Sequence, residues 1–246
     1  MIQAMAPNRG GLRSYFSDSR DLFTSLVLVM PLFFVYQLGI LATGGLRNGV
    51  DFVSNVLFLV FDGNALAYVG FDFLVLVAFA VALGVLRKRG QFEPRRMPWM
   101  LLESAVYALL LGSVVIAMMS AIGLDGLLAA GAKPHAMTLV DKLVMSAGAG
   151  LYEEIVFRLL LMGGMILALT RVVSLPTIVA VPIAIVVSSV LFSAAHYIAE
   201  PFAMSSFIFR IFAGILFAII FRARGLAVAA YTHCLYDVWV MVVHGA

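Results

Sequence analysis

Three groups of ionisable side chains interrupt apolar stretches in the C-terminal half of this 246-residue chain. The groups contain Glu153, Glu154, Arg158, His196, His233 and Asp237. A charged side chain at the centre of a bilayer costs about 2.5–3.5 kcal/mol on insertion scales, so such residues are rare unless they have a partner or a function. Carboxylates and imidazoles are also frequent general acids and bases. The pattern therefore predicts a buried site for proton-transfer chemistry.

Helix geometry separates two roles within the first group. At about 100° per residue, Glu154 and Arg158 lie one turn apart on one face, whereas Glu153 points about 140° away from Arg158. We therefore expect an ion pair between Glu154 and Arg158. Glu153 is the carboxylate suited to general-base work, although a buried network that only orients helices would use the same residues.

The second and third groups each add an imidazole. His196 follows Phe192 by one helical turn near the end of an apolar run, where a histidine can also be an interfacial side chain. His233 and Asp237 are one turn apart, and a carboxylate can fix the tautomer and orientation of an imidazole. Because polar groups on three helices can converge in a bundle interior, we expect a single site.

Apolar stretches make up most of the chain and define its class. Apolar residues account for 63% of the sequence, charged residues account for 12%, and the mean hydropathy is +1.08. These values lie outside the range of soluble domains, and a helix needs about 20 apolar residues to cross a bilayer. The sequence predicts an all-α, polytopic transmembrane helix bundle with about seven spans, built as a single membrane domain over residues 1–246.

Seven apolar runs are the predicted spans. They are residues 22–43, 64–86, 99–123, 139–169, 177–198, 202–221 and 225–244. A further apolar run at residues 50–62 is too short to span comfortably and is predicted to be re-entrant or interfacial. Small residues beside the first polar group, such as Gly148 and Gly150, would let helices approach closely.

Basic residues flank the predicted spans. The net charge is +3 and the pI about 9.2, with the densest tract at Arg87–Arg89 and further span-end charges at Arg171, Arg222 and Arg224. This positive-inside pattern argues against nucleic acid as a partner. It predicts an integral, multi-pass protein of the cell (inner) membrane with a cytoplasmic N-terminus. Arg210, which lies inside a run, is expected to snorkel to an interface.

The three polar groups resemble the Glu-Glu-x-x-x-Arg, Phe-x-x-x-His and His-x-x-x-Asn/Asp motifs of the CAAX protease and bacteriocin-processing family of intramembrane proteases, also called the abortive-infection family. The resemblance covers roughly residues 139–244, which would form the catalytic core. It implies an intramembrane endopeptidase that hydrolyses a peptide bond of a membrane-associated protein or peptide in the lipid bilayer.

The resemblance also implies roles for the first two motifs. Glu153 corresponds to the glutamate that activates water, and His196 corresponds to its partner in positioning or deprotonating that water. Glu154 and Arg158 fill the remaining places of the first motif.

The third motif contains a departure from the family pattern. His233 and Asp237 correspond to the pair that holds the scissile carbonyl or stabilises the oxyanion. In the branch that trims prenylated proteins, asparagine usually stands where this chain has Asp237. Because a carboxylate cannot donate a hydrogen bond unless it is protonated, we expect Asp237 to orient His233. The departure also weighs against a prenylated substrate.

The sequence favours glutamate-type catalysis without a cofactor, with zinc as the alternative. The His-Glu-x-x-His zinc signature is absent from the sequence. Glu153, His196 and His233 nevertheless offer one oxygen and two nitrogens, a catalytic zinc ligand set that leaves one position open.

Two other functions would use the same buried residues. Buried Glu, His and Asp side chains form relays in proton-coupled transporters, which often contain internal repeats that this sequence does not show. A non-catalytic membrane scaffold would bind a partner helix through faces of small residues. Replacement of Glu153 separates the three, because only a protease would then leave a membrane-anchored protein uncut.

Overall fold

The computed structural model describes residues 22–43, 64–86, 97–124, 137–198 and 201–243. Within these ranges the secondary structure is helical, with no strand. The helices are α1 (Leu22–Ala42), α2 (Ala65–Leu86), α3 (Met97–Ala121), α4 (Leu139–Gly148), α5 (Gly163–Arg171), α6 (Thr177–His196), α7 (Met204–Arg224) and α8 (Leu226–Val238). A π-helical stretch, Ala149–Met162, joins α4 to α5 and is called the π segment below; a π turn at Trp239–Val243 follows α8.

This architecture confirms the predicted all-α bundle. Each of the seven predicted runs corresponds to one helical rod among the described residues, since α4, the π segment and α5 are continuous. The largest shift is in α7, which begins at Met204 and ends at Arg224 instead of covering residues 202–221. The short run at residues 50–62 lies outside the described residues.

Four of the described helices are long and apolar enough to cross a membrane. They are Phe23–Ala42, Met97–Ala121, Thr177–His196 and Met204–Arg224. Their outer faces expose large apolar side chains such as Leu38, Trp99 and Ile178, while glutamate, arginine and histidine side chains are buried in the bundle. Ionisable groups inside and apolar groups outside are the arrangement expected in a bilayer.

Local sequence explains how two of the helices begin. The Thr138 hydroxyl accepts a hydrogen bond from the Asp141 amide, and the Asp141 carboxylate accepts one from the Thr138 amide, which forms a capping box for α4. Gly225 alone separates α7 from α8, and its φ of +87° favours a residue without a Cβ. The chain therefore turns from α7 into α8 within one residue.

Helix α8 lies at the centre of the bundle. Its first five residues, Leu226–Ala230, are no more than 2% exposed. It contacts α1, α3, α4, α7 and the π segment, and the π segment also contacts α6. The three elements that carry the polar groups are therefore brought together around the π segment.

Candidate active site

Glu153 and Glu154 lie side by side in the π segment, and both are buried. Consecutive side chains diverge by about 100° in an α-helix. A π-helix has i→i+5 hydrogen bonds and therefore a wider turn, which reduces this divergence. Two adjacent carboxylates can thus approach one side chain of a neighbouring helix. Such stretches are uncommon and are frequent at functional sites.

The side chain between the two carboxylates is His233 of α8. Its Nδ1 lies 2.8 Å from Glu154 Oε1, and its Nε2 lies 3.6 Å from Glu153 Oε2. Asp237 Oδ2 is 3.8 Å from Nε2, which is beyond hydrogen-bond distance. Because an ionised carboxylate only accepts, Nδ1 carries a hydrogen and donates it to Glu154. The orienting contact that the sequence assigned to Asp237 is therefore made by Glu154.

His196, the last residue of α6, approaches Glu153 from another helix. Its Nε2 lies 3.8 Å from Glu153 Oε2, and its Nδ1 lies 2.9 Å from the carbonyl oxygen of Phe192. Since a carbonyl oxygen only accepts, Nδ1 is the donor, and in the neutral ring Nε2 is an acceptor on the side of Glu153. Side chains of the π segment, α6 and α8 thus converge at Glu153 Oε2.

Arg158 is buried one helical turn along the π segment from Glu154. Its Nε is 3.4 Å from Glu154 Oε2, so the ion pair expected from the one-turn spacing is present. Its Nη2 donates to the carbonyl oxygen of Gly214 at 3.4 Å, and the guanidinium lies 4.3 Å from the centre of the Phe192 ring. An aromatic face attracts a desolvated cation. Arg158 is therefore held by a carboxylate, a carbonyl and an aromatic ring.

Two aromatic side chains that the sequence analysis did not single out complete the walls. The Phe217 ring of α7 stacks on His233, with the ring centres 4.2 Å apart and the planes 19° from parallel. The Phe157 ring meets Phe192 edge-on at 5.4 Å. The sequence contains 19 phenylalanines, most of them in apolar runs, so nothing in its pattern distinguishes these two.

The site also depends on close approach of the π segment to α8. A Cβ on Gly150 would lie 2.5 Å from the carbonyl oxygen of Ala230 and 2.7 Å from Cys234 Cβ. A Cβ on Gly148 would lie 2.3 Å from the ring of Tyr36 in α1. Both glycines therefore permit the close helix contacts expected from the sequence.

Exposure rises from one side of the site to the other. The side chains of Glu154 and Arg158 are 0% and 1% exposed, whereas those of His196 and Asp237 are both 18% exposed. The site is therefore closed around Glu154 and Arg158 and open at the C-terminal end of α6. A molecule that enters on this side would pass His196 and Asp237 before it reaches Glu153.

Arg210 of α7 lies on this open side. It is half-buried, and its guanidinium is 5.6 Å from the centre of the Tyr197 ring. Tyr197 directly follows His196. The arginine that the sequence expected at an interface is thus placed beside the candidate site.

The zinc alternative can be compared with the same geometry. The Nδ1 atoms of both histidines are directed to oxygen acceptors and the Nε2 atoms face Glu153, an orientation that suits either a metal ligand or a proton acceptor. Among the residues that the structure describes, however, no three His, Cys, Asp or Glu side chains are grouped so that they could hold a metal ion. The zinc alternative therefore rests on Glu153, His196 and His233, whose side chains converge at Glu153 Oε2.

Comparison with known proteins gives a family match for the C-terminal part of the chain. Residues 135–239 match the family model described as type II CAAX prenyl endopeptidase Rce1-like. No curated protein and no solved structure matches the chain. The matched stretch contains the π segment, α6, α7 and α8, and together with the four apolar helices it makes this an integral membrane protein. The resemblance to the CAAX proteases is therefore confirmed over residues 135–239, a stretch that is similar to the Rce1-like family and contains all six candidate site residues.

Proposed function

We propose that the protein is an intramembrane endopeptidase in which Glu153 and His196 activate water for attack on a peptide bond. The observation that carries the proposal is the convergence of Glu153 Oε2 with the Nε2 atoms of His233 and His196, at 3.6 and 3.8 Å. The match of residues 135–239 to a family of CAAX prenyl endopeptidases supports peptide hydrolysis as the reaction. A membrane-anchored peptide chain is accordingly the proposed substrate class.

The spacing of Glu153 and His196 suits a bound water molecule. Glu153 Oε2 and His196 Nε2 are both acceptors, and 3.8 Å is too long for a direct hydrogen bond. A water molecule has two hydrogens and can donate one to each acceptor, which leaves a lone pair of its oxygen for attack. As the new bond between this oxygen and the carbonyl carbon forms, Glu153 accepts the proton.

His233 serves the carbonyl oxygen of the substrate. Its Nδ1–H is held by Glu154, and when the ring carries a second proton, Nε2–H becomes a donor to the developing oxyanion. The carboxylates of Glu153, Glu154 and Asp237 lie within 3.8 Å of this ring and compensate its positive charge. In this proposal Glu154 orients the His233 ring, and Asp237 helps to compensate the positive charge of that ring.

Collapse of the tetrahedral intermediate returns the site to its starting state. The bond between carbon and nitrogen breaks, and the proton held by Glu153 passes to the amine leaving group. The hydroxyl derived from water stays on the acyl carbon, which gives a carboxylic acid product. This sequence of steps uses only side chains of the described site.

The direct test uses the full-length protein in lipid vesicles with a prenylated CAAX peptide and a peptide of the same sequence without the prenyl group. We expect the wild type to cleave at least one of them and Glu153→Gln to be slower by about 10²–10⁴-fold, the usual contribution of general-base catalysis. Asp141→Asn makes the same carboxylate-to-amide change on the same rod, outside the site, and should remain active.

A cellular comparison tests the function without a chosen substrate. Membranes of cells that carry the wild type and of cells that carry Glu153→Gln would be compared by mass spectrometry of protein termini. The protease proposal requires at least one protein that stays uncut with the variant. If every terminus is unchanged and a proton-coupled flux is altered instead, the site belongs to a transporter.

A further inference from the structure

A second buried charged cluster lies among the described residues, at the corner where α7 turns into α8. Arg224 Nε is 2.5 Å from Glu103 Oε1, and Arg224 Nη2 is 2.8 Å from Glu103 Oε2. The hydroxyl of Tyr107 donates to Glu103 Oε1 at 2.8 Å. The side chain of Glu103 is 15% exposed, and that of Arg224 is 4% exposed. Two parallel hydrogen bonds between guanidinium and carboxylate fix both distance and direction.

This cluster differs from the sequence interpretation of Arg224. That residue was grouped with Arg222 as a span-end charge, but only Arg222 is exposed. Arg224 instead joins the last turn of α7 to α3, and its partner lies 121 positions earlier in the chain. The pair is therefore a tertiary contact between the N-terminal helices and the family-matched segment.

The contact lies at the start of the helix that carries His233. Helix α8 begins two residues after Arg224, and its first five residues have only apolar side chains. Apolar burial is not directional, so these side chains alone do not set the rotation of α8. The Glu103–Arg224 pair supplies direction at this end.

Helix α3 supports α8 at two further levels. Ser104 Oγ lies 3.3 Å from the carbonyl oxygen of Val228. A Cβ on Gly112 would lie 3.4 Å from the ring of Tyr236, the neighbour of Asp237. Helix α3 therefore contacts α8 from the first turn of α8 to the third motif.

We propose that Glu103 is a positioning residue of the peptidase. By holding Arg224, it fixes α8 so that His233 Nδ1 stays on Glu154 while Nε2 faces Glu153. The proposal rests on the proposed function, and it extends the working parts of the enzyme to α3, which lies outside the matched residues 135–239. A displacement of about 1 Å at reacting groups, caused by a distant mutation, can cost about 10² in rate.

The test compares Glu103→Gln with Gly39→Ala in the full-length protein in detergent micelles and lipid vesicles. A Cβ on Gly39 would lie 2.2 Å from Val144 Cγ2, so the control disturbs the contact between α1 and α4 without touching Glu103 or Arg224. We expect Glu103→Gln to lower kcat for the cleaved peptide by about tenfold or more, with KM unchanged. The ring signals of His233 in histidine-labelled NMR spectra should shift. Gly39→Ala should lower Tm but leave both readouts as in the folded wild type.

Three outcomes decide the matter. A lower Tm for Glu103→Gln with wild-type kcat per folded molecule and an unshifted His233 signal would reduce the pair to a structural contact. If Glu103→Gln does not fold, Arg224→Lys keeps the charge but loses the paired hydrogen bonds, and it must shift the same signal. If no peptide is cleaved by the wild type, the NMR comparison still tests the positioning of His233, so failure of the proposed function is seen separately.

Discussion

The two buried charged clusters of this molecule are built differently. At the corner of α7 and α8, one carboxylate and one guanidinium meet through two short contacts of 2.5 and 2.8 Å. Around Glu153, carboxylates and imidazoles from three elements lie 3.6–3.8 Å apart, and only the bond between His233 and Glu154 is short. In the first geometry the two side chains satisfy each other, which suits the positioning of α8 proposed above. The second leaves acceptors at a spacing that a water molecule or a substrate can bridge, which is what chemistry requires.

The largest expected effect separates the two clusters by stability. Arg224→Met leaves Glu103 without its bidentate partner, and loss of one member of a buried pair costs about 3–5 kcal/mol. Glu153→Gln removes a charge that other carboxylates repel, so its free energy of unfolding should stay at or above that of the wild type. Unfolding in mixed micelles, followed by circular dichroism, measures both. Equal losses for the two variants would contradict the distinction.

The next effect concerns the carboxylate that orients His233. Glu154→Gln removes the charge at the 2.8 Å contact between Glu154 Oε1 and His233 Nδ1. Loss of such an orienting partner typically lowers activity by about 10–100-fold. Asp237→Asn changes a group 3.8 Å away and should alter kcat by less than about tenfold. Peptide cleavage by the folded variants gives the ratio. A larger loss for Asp237→Asn would return the orienting role to Asp237.

A smaller effect is expected from the contact that brings the π segment to α8. Gly150→Ala places a Cβ 2.5 Å from the carbonyl oxygen of Ala230, and overpacking of this kind costs about 1–3 kcal/mol. Because the shift opens the gap between Glu153 and His233, cleavage should fall as well. Gly164→Ala is the matched control, since nothing lies within 4 Å of its Cβ. Similar unfolding curves for the two variants would show that the close approach is not needed.

The smallest effect is expected next to His233, in a residue without a catalytic role. Thr232 is fully buried, and its hydroxyl makes no hydrogen bond within the described part of the chain. Thr232→Val keeps the shape and removes the unsatisfied group, so we expect stability to rise by up to about 1 kcal/mol with cleavage unchanged. A decrease in Tm would indicate that the hydroxyl has a partner in the membrane-embedded protein.

Sequence reasoning predicted the fold and the convergence of the buried polar groups for identifiable reasons. The length of an apolar run in the sequence sets the approximate length of the helix that it forms. The seven helical rods could therefore be predicted from hydropathy. An ionisable side chain that lies unpaired in a bilayer has a high free-energy cost, so such residues tend to contact one another. The convergence of Glu153, His196 and His233 could therefore be predicted. The ion pair between Glu154 and Arg158 followed from a spacing of one turn.

The contacts that sequence reasoning did not predict depend on backbone geometry and on distant neighbours. The π segment lets Glu154 and Glu153 face one imidazole, whereas an assumed α-helix separates them by about 100°. The short contact of His233 is accordingly with Glu154 at 2.8 Å, and Asp237 lies 3.8 Å from the ring. The partner of Arg224 lies on α3, and no local pattern connects residues that far apart. Phe217, stacked on His233, is one of many phenylalanines.

The opening of the site at the end of α6 has a consequence for what can be cut. Inside a bilayer a helical peptide has its carbonyl groups hydrogen-bonded within its own backbone, so an intact helix offers no carbonyl to attack. Only the unwound end of an anchored chain could pass His196 and Asp237 and present an extended bond to Glu153. If the proposed function holds, the enzyme would select substrates first by the depth in the bilayer at which the substrate helix ends. Recognition of the substrate side chains would come second.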